Sequence, residues 1–362
     1  MRAIVDIDAI DTVIFRDGRS FTQADAEASA YTSVFPPYPP SVVGAIRLSV
    51  ATQMGFGGGA PWPVKVLGDG VDWQASEQLG DTLKFSAPFV TRGDELLFPT
   101  PLNVLRDTKT ERLYRLQPGR REFVCDLDNP ARLPEIANPP SDGSSGLDTL
   151  NDTFLNADAL GAVLDNRPIE NIVPIYSKEL WQREPRVGIG LDAANRTAVK
   201  GQLYAAGHVR PIQVIGLRVE VEGLGLDNIA RRLQVFGGEH RLSEVRITAG
   251  AIALPHAPKI DGGRYMVVAV SPLLLPCAPQ PNAEIAGLPG KVVSACTEKP
   301  VRVGGWNGRT RRPIPMRQAL PAGSVIFMKT EGDPVEQLHG TKIGESTEWG
   351  FGQILVGRWD EV

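Results

Sequence analysis

The sequence predicts an α+β fold of two tandem ferredoxin-like domains carrying long Gly/Pro-rich insertions. Three observations lead there. A chain of 362 residues is long enough for about two domains, each burying its own core. Its 38 glycines and 30 prolines follow no collagen-like period, which favours many turns and short elements over long helices. Each half opens with strand–helix–strand patterning, and in the second half the order strand, helix, strand, strand matches a split β-α-β unit. The division falls near residue 205, giving an N-terminal domain over 1–205 and a C-terminal domain over 206–362.

The elements follow in order. Arg2 to Arg16 begins as an alternating strand (Ile4, Val5, Ile7, Ile10) and ends at the turn signal Asp17-Gly18. A first helix starts at Pro40 or Ser41, with Ser41 as N-cap, because Val42, Val43, Ile46, Val50 and Met54 recur at helical spacing. Gly55 to Gly59 and Pro61-Trp62-Pro63 stop it. Leu83–Val90 and Leu96–Phe98 read as a hairpin around Arg92-Gly93-Asp94. Leu116 to Leu147 reads as loop, its stretch from Asn138 to Gly146 an insertion too polar to order itself without a partner. A short helix over Ala159–Leu164 precedes closing strands at Val187–Asp192 and Gly201–Tyr204. The second half predicts a strand over Val214–Val221, a helix over Leu226–Phe236, and strands over Glu244–Leu254, Tyr265–Pro272, Ser324–Lys329 and Gly352–Trp359. Pro276 to Arg317 is too rich in Gly and Pro to show the expected second helix.

Composition narrows the chemistry. Hydrophobic residues make up 42 % and charged residues 22 %, and no apolar run of about 18 residues offers a membrane span. The N-terminal stretch holds Asp6 and Asp8 and lacks the basic start of a signal peptide, which places the chain in the cytoplasm with no membrane contact. Cys125, Cys277 and Cys296 form no C-x-x-C pair and read as reduced thiols. The net charge of −4 argues mildly against a free-standing nucleic-acid binder, so any contact with RNA must come from local basic surfaces, and the same balance suits a subunit whose acidic faces pack against neighbours.

Catalytic signatures are missing. None of the four histidines, His208, His240, His256 and His339, sits in zinc-enzyme spacing, and neither a nucleophile elbow nor a Walker A loop is present. Asp6 and Asp8 share one face of a strand and read as a solvated or partner-facing strand edge rather than a metal pair. No metal and no cofactor are expected.

The basic stretches are more informative. Residues 302–317 hold Arg302, Arg309, Arg311, Arg312 and Arg317 without an acid, with Trp306 among them. Guanidinium groups clamp phosphates bidentately and an aromatic ring stacks on an unpaired base, so this run suits single-stranded RNA. Residues 106–121 repeat the theme through Arg106, Lys109, Arg112, Arg115, Arg120 and Arg121, diluted by Asp107 and Glu111. The glycine-rich stretch Gly344 to Gly352, including Gly350 and Phe351, suits close approach of backbone amides to a phosphate, although it feeds a strand instead of a helix.

Taken in order, these residues resemble the RAMP superfamily, specifically the third subunit of the Cmr module of type III-B CRISPR effector complexes. The resemblance rests on Asp11 to Phe21, on Pro40-Ser-Val-Val-Gly-Ala-Ile-Arg47, on Val187-Gly-Ile-Gly-Leu-Asp192 with Arg196-Thr197 and Gly201–Tyr204, on Phe236-Gly-Gly-Glu-His-Arg241, on Gly304-Gly-Trp306 with Pro315-Met-Arg317, and on Trp349-Gly-Phe-Gly352. It implies two RRM-like RAMP domains and a subunit that holds the 5′ tag of the crRNA guide without cutting RNA. The implied partners are the large polymerase/cyclase subunit, the backbone RAMP subunits and, indirectly, target RNA in antiviral defence. The RNA-facing residues it implies are Ser41, Gly44, Arg47, Arg186, Arg196, Arg241, Trp306, Arg309, Arg311, Arg312 and Arg317. Gly344, Gly350, Phe351 and Gly352 would shape either the RNA path or a subunit contact. Free backbone amides at the helix start, with Arg47 beyond them, offer a phosphate seat. His240 stands where the resemblance expects glycine, which weighs against a positive φ there, and Glu345 and Glu348 would repel RNA and suit a protein partner. Two other readings are kept: a RAMP endoribonuclease that processes precursor guide RNA with His208 or His240 as base, and a scaffold subunit of another type III complex.

Overall fold

The computed structural model describes every residue except 1, 17–30, 58, 69–72, 75–78, 80–82, 125–129, 138, 140–145, 193, 225–228, 308–311 and 333. In chain order, β1 (Arg2–Ala9) and β2 (Tyr31–Thr32) precede helix α1 (Pro39–Gln53) and the short α2 (Val64–Leu67). Then come β3 (Lys84–Phe85), β4 (Phe89–Arg92), β5 (Glu95–Pro99), β6 (Val104–Asp107), β7 (Leu113–Phe123), β8 (Ala131–Ile136), β9 (Leu147–Thr149) and β10 (Thr153–Asn156). After α3 (Ala157–Leu164), β11 (Ile175–Tyr176) and α4 (Ser177–Leu180), the chain forms β12 (Trp181–Leu191), β13 (Ala198–Pro211), β14 (Ile215–Glu222), β15 (Ile229–Val235) and β16 (Leu242–Ala249). It closes with β17 (Arg264–Ala269), β18 (Lys291–Cys296), β19 (Val301–Asn307), β20 (Arg312–Ala319), β21 (Val325–Lys329) and β22 (Ile354–Arg358). The result is a mixed, strand-dominated α+β fold with few helices. Among the described residues no helix is long and apolar enough to cross a membrane.

The largest sheet has nine strands in the order β11-β10-β5-β4-β14-β1-β16-β15, with β3 added to β14. In β1 the odd residues Ala3, Val5 and Ile7 face the core, as alternation demands. Asp6 lies on the opposite face, directly across from Arg218 of β14 and Arg246 of β16. Both guanidiniums bond it, at 2.6 and 3.0 Å. The expected strand edge is therefore corrected: β1 is an interior strand, and Asp6 is the anion of a cross-strand triad. α1 covers the inner face, with Val42, Val43, Ile46 and Val50 in the core.

The last unit is a four-stranded antiparallel sheet, β18-β21-β17-β22. Its two faces carry separate apolar cores, one shared with α3 and the other closed by Leu273, Ile285, Leu288 and Ile343. Residue 205 falls inside β13, and β14 beyond it pairs with β1, so both stretches of the chain build the nine-stranded sheet.

Two elements depart from expectation. The predicted helix over Leu226–Phe236 is β15 where it is described, because Val235 and Leu233 pair with Leu242 and Glu244 of β16 across the 237–240 turn. Tertiary pairing overrides local helical propensity there. The stretch Leu116–Leu147 is not plain loop but holds most of β7 and all of β8, which pair with one another. The insertion at 138 and 140–145 lies outside the described residues.

Candidate RNA interface

β19 and β20 form a two-stranded arm. Its inner face is anchored by Val303 and Ile314, which join the main core. The Gln74 side-chain amide donates to the Pro315 carbonyl at 2.7 Å, and Arg317 pairs with Glu345 at 2.5 Å. Across the arm Trp306 is 63 % exposed beside its strand partner Pro313, and Arg302 and Arg312 are exposed as well. Neither arginine has an ion pair among the described residues. Arg309 and Arg311 lie outside the described residues. The arm thus presents two uncommitted cations and an open indole, while the fifth arginine of the run, Arg317, is tied down.

A second charged cluster lies at the root of the β12–β13 hairpin. Asp11 bonds Arg210 at 2.6 Å and Arg186 at 3.2 Å, and Glu184 bonds the same two guanidiniums. Arg241 pairs with Glu239 at 3.1 Å. The Thr12 amide and Arg210 hold the Asp11 carboxyl below its usual range, and Arg210 followed by Arg186 does the same for Glu184. Arg186 and Arg241 are thus partly exposed and held in ion pairs by carboxylates, with the Arg241 Nε left without a hydrogen-bond partner among the described residues. Arg196, by contrast, is exposed at the tip of this hairpin, in a turn fixed by the Arg196 amide donating to Asp192 O. Along the same arm Val187, Ile189 and Leu191 are exposed on one face.

The helix start is corrected too. Tyr38 is the N-cap and prolines occupy the first two helical positions, so two of the expected amides do not exist. The Ser41 amide donates to Tyr38 O. Ser41 and Gly44 are exposed one turn apart, but Arg47 points inward, 3 % exposed. Its guanidinium donates to Leu67 O and Gly68 O and lies 5.4 Å from the Trp62 ring centroid and 5.5 Å from that of Trp349. With two indoles beside it, it is a structural cation that ties α1 to the end of α2.

The glycine-rich loop also faces inward. Gly350, Phe351 and Gly352 are buried, Phe351 packs 5.0 Å from Trp73, and Gly344 alone of the four is exposed. Gly344, Gly350 and Gly352 all have positive φ. A Cβ on Gly350 or Gly352 would strike the Ser86 or Ile343 carbonyl oxygen. These glycines serve close packing of backbone on backbone, which corrects the phosphate-cradle reading.

Turn 237–240 carries a further correction, because Glu239 and His240 both adopt positive φ despite their side chains. His208 is fully buried, with Nδ1 3.0 Å from Thr12 Oγ1 and Nε2 3.1 Å from Glu239. Burial lowers its pKa, opposed by Glu239. The basic stretch 106–121 divides in the same way: Arg106 bonds Glu111 and Tyr176, and Arg115 caps the end of α3 through the Ala162 and Arg167 carbonyls, whereas Arg120 and Arg121 are exposed. Sequence reasoning missed the acids that claim these cations, Asp11, Glu184 and Glu345, because each is distant in the chain from at least one of its partners.

Comparison with known proteins places this architecture. The family model for the CRISPR-associated protein Cas_Cmr3 matches residues 5–359. Among solved structures, a chain of the type III-B Cmr-beta complex bound to cognate target RNA and AMPPnP is similar at 16 % identity, covering 90 % of this chain and 86 % of that one, with a TM-score of 0.48. A chain of the Csm3–Csm4 subcomplex from a type III-A CRISPR-Cas interference complex is similar at 11 % identity, with 92 % and 94 % covered and a TM-score of 0.40. A chain of a Csm1–Csm4 cassette in complex with pppApA is similar at 13 % identity, with 90 % and 86 % covered and a TM-score of 0.32. No curated protein matches. The class is that of CRISPR-associated Cmr subunits. The chain belongs to the Cas_Cmr3 family.

Proposed function

We propose that this chain is a non-catalytic subunit of a type III-B RNA-guided effector complex that grips the 5′ tag of the crRNA guide and docks on the large polymerase/cyclase subunit. The observation that carries the RNA-binding part is the β19–β20 arm, where Trp306 stands open and Arg302 and Arg312 are exposed with no ion pair among the described residues. Guanidiniums hold phosphates while the indole stacks on an unpaired base, a combination suited to single-stranded RNA. Arg196 at the tip of the β12–β13 hairpin adds a second contact. The non-catalytic reading draws support from His208, one of the two candidate bases, which is fully buried with its ring nitrogens beside Thr12 and Glu239. We read the last unit as a ferredoxin-like RAMP domain, supported by its antiparallel strand order β22-β17-β21-β18, with turns and 3₁₀ segments where such a unit has helices. A tandem pair of such units is the corresponding reading of the whole chain.

Ultraviolet crosslinking of the assembled complex to guide RNA tests the assignment. The expected adduct is on the Trp306 peptide with a nucleotide of the tag, and Trp306→Ala abolishes it. Adducts confined to other subunits would overturn it.

A further inference from the structure

A cleft of about 810 Å³ lies at the seam between the nine-stranded sheet and the last unit. Lys342 lines it. This lysine departs from the surface pattern of the others: its side chain is partly buried beside Phe85, and its ammonium donates to the Phe85 carbonyl at 2.8 Å. No carboxylate lies within ion-pair distance of it among the described residues. Glu220, Glu222 and Glu348 face it from farther away, and exposed Lys84 stands on the same wall. A desolvated amine with one neutral acceptor, a neighbouring cation and an open approach is the arrangement that activates lysine as a nucleophile. Burial drives its pKa down to about 8, against the pull of Glu222, Glu348 and Glu220.

We propose that Lys342 is a covalent modification site, an amine that accepts acyl groups from small acyl phosphates entering this cleft. In the step, the neutral Nζ lone pair attacks the acyl carbonyl carbon and a C–N bond forms. The bond from that carbon to the phosphate oxygen breaks, inorganic phosphate departs with its electron pair, and the amine proton passes to water. Lys84 attracts the anionic phosphate and orients the donor. The product is an uncharged amide at the junction of the two sheets, independent of the RNA-binding arm.

The test uses the full chain and acetyl phosphate at pH about 7.5, with acetylation at each lysine followed by mass spectrometry. At that pH a lowered pKa leaves far more free amine, partly offset by lower basicity, so Lys342 should acetylate about tenfold faster than Lys259, which is 84 % exposed. Denaturing the chain in urea should erase the difference. Lys84→Gln should slow acetylation at Lys342 by acetyl phosphate more than its reaction with an uncharged acetyl ester, because loss of the neighbouring cation raises the Lys342 pKa for both donors but removes the attraction only for the anionic one. Equal rates at Lys342 and Lys259 in the folded chain, or a preference that survives urea, would overturn the proposal. An unchanged rate in Lys84→Gln would overturn the role of Lys84.

Discussion

A guanidinium aimed inward does different work from one aimed outward, and Arg47 and Arg302 stand on opposite sides of that divide. Arg47 gives its donors to the Leu67 and Gly68 carbonyls inside the core. Arg47→Ala should leave those carbonyls unsatisfied and destabilise the fold by about 3 kcal/mol, seen as a lower urea midpoint with RNA affinity per folded molecule unchanged. A normal midpoint with lost RNA binding would return Arg47 to the interface. His208 gives a pH signature. Because burial lowers its folded pKa, the unfolded chain takes up the proton first, so its contribution is fully present above about pH 6.5 and is lost as pH falls through that value toward the folded one. The expected result is a urea midpoint that declines as pH falls below about 6.5 and declines less in His208→Gln. An identical pH dependence in the two proteins would contradict this role. At this scale the sequence shows which residues are cationic but not which are free. Arg186, Arg241 and Arg317 look equivalent to Arg302 until distant carboxylates are brought beside them.

Elements with a strong local period were legible, and elements held by distant partners were not. The α1 row Val42, Val43, Ile46 and Val50 and the β4–β5 hairpin around Gly93 follow from spacing and turn chemistry alone. β15 did not, because its apolar positions satisfy a helical pattern as well as a strand, and only its pairing with β16 decides between them. The β19–β20 arm was visible as a basic run but not as strands, since its glycines and prolines conceal an alternation completed by a bulge. The glycine-rich loop offers the sharpest element-scale test. Gly352→Ala places a methyl group against the Ile343 carbonyl at a positive φ and should cost about 3 kcal/mol of stability. If the substitution instead leaves the urea midpoint intact and weakens RNA binding, the loop is a phosphate contact after all.

At the scale of the whole molecule, a net charge of −4 coexists with exposed Arg302 and Arg312, which have no ion pair among the described residues, on one arm. Under the proposed function, binding energy for a polyanion is local and contact with a neighbouring subunit supplies the rest. The strand-dominated α+β class was legible from composition, whereas the sharing of one nine-stranded sheet by β1, β14 and β16 was not, because pairing over such separations leaves no local pattern. The most direct measurement is the salt dependence of tag-RNA affinity in the reconstituted complex, comparing the wild-type chain with Arg302→Ala/Arg312→Ala. Removing two phosphate contacts should weaken binding and lower the magnitude of the log–log slope by about 1.4, the value for two charges on a single strand. A slope and affinity equal to those of the wild type would contradict the assignment of this arm to RNA.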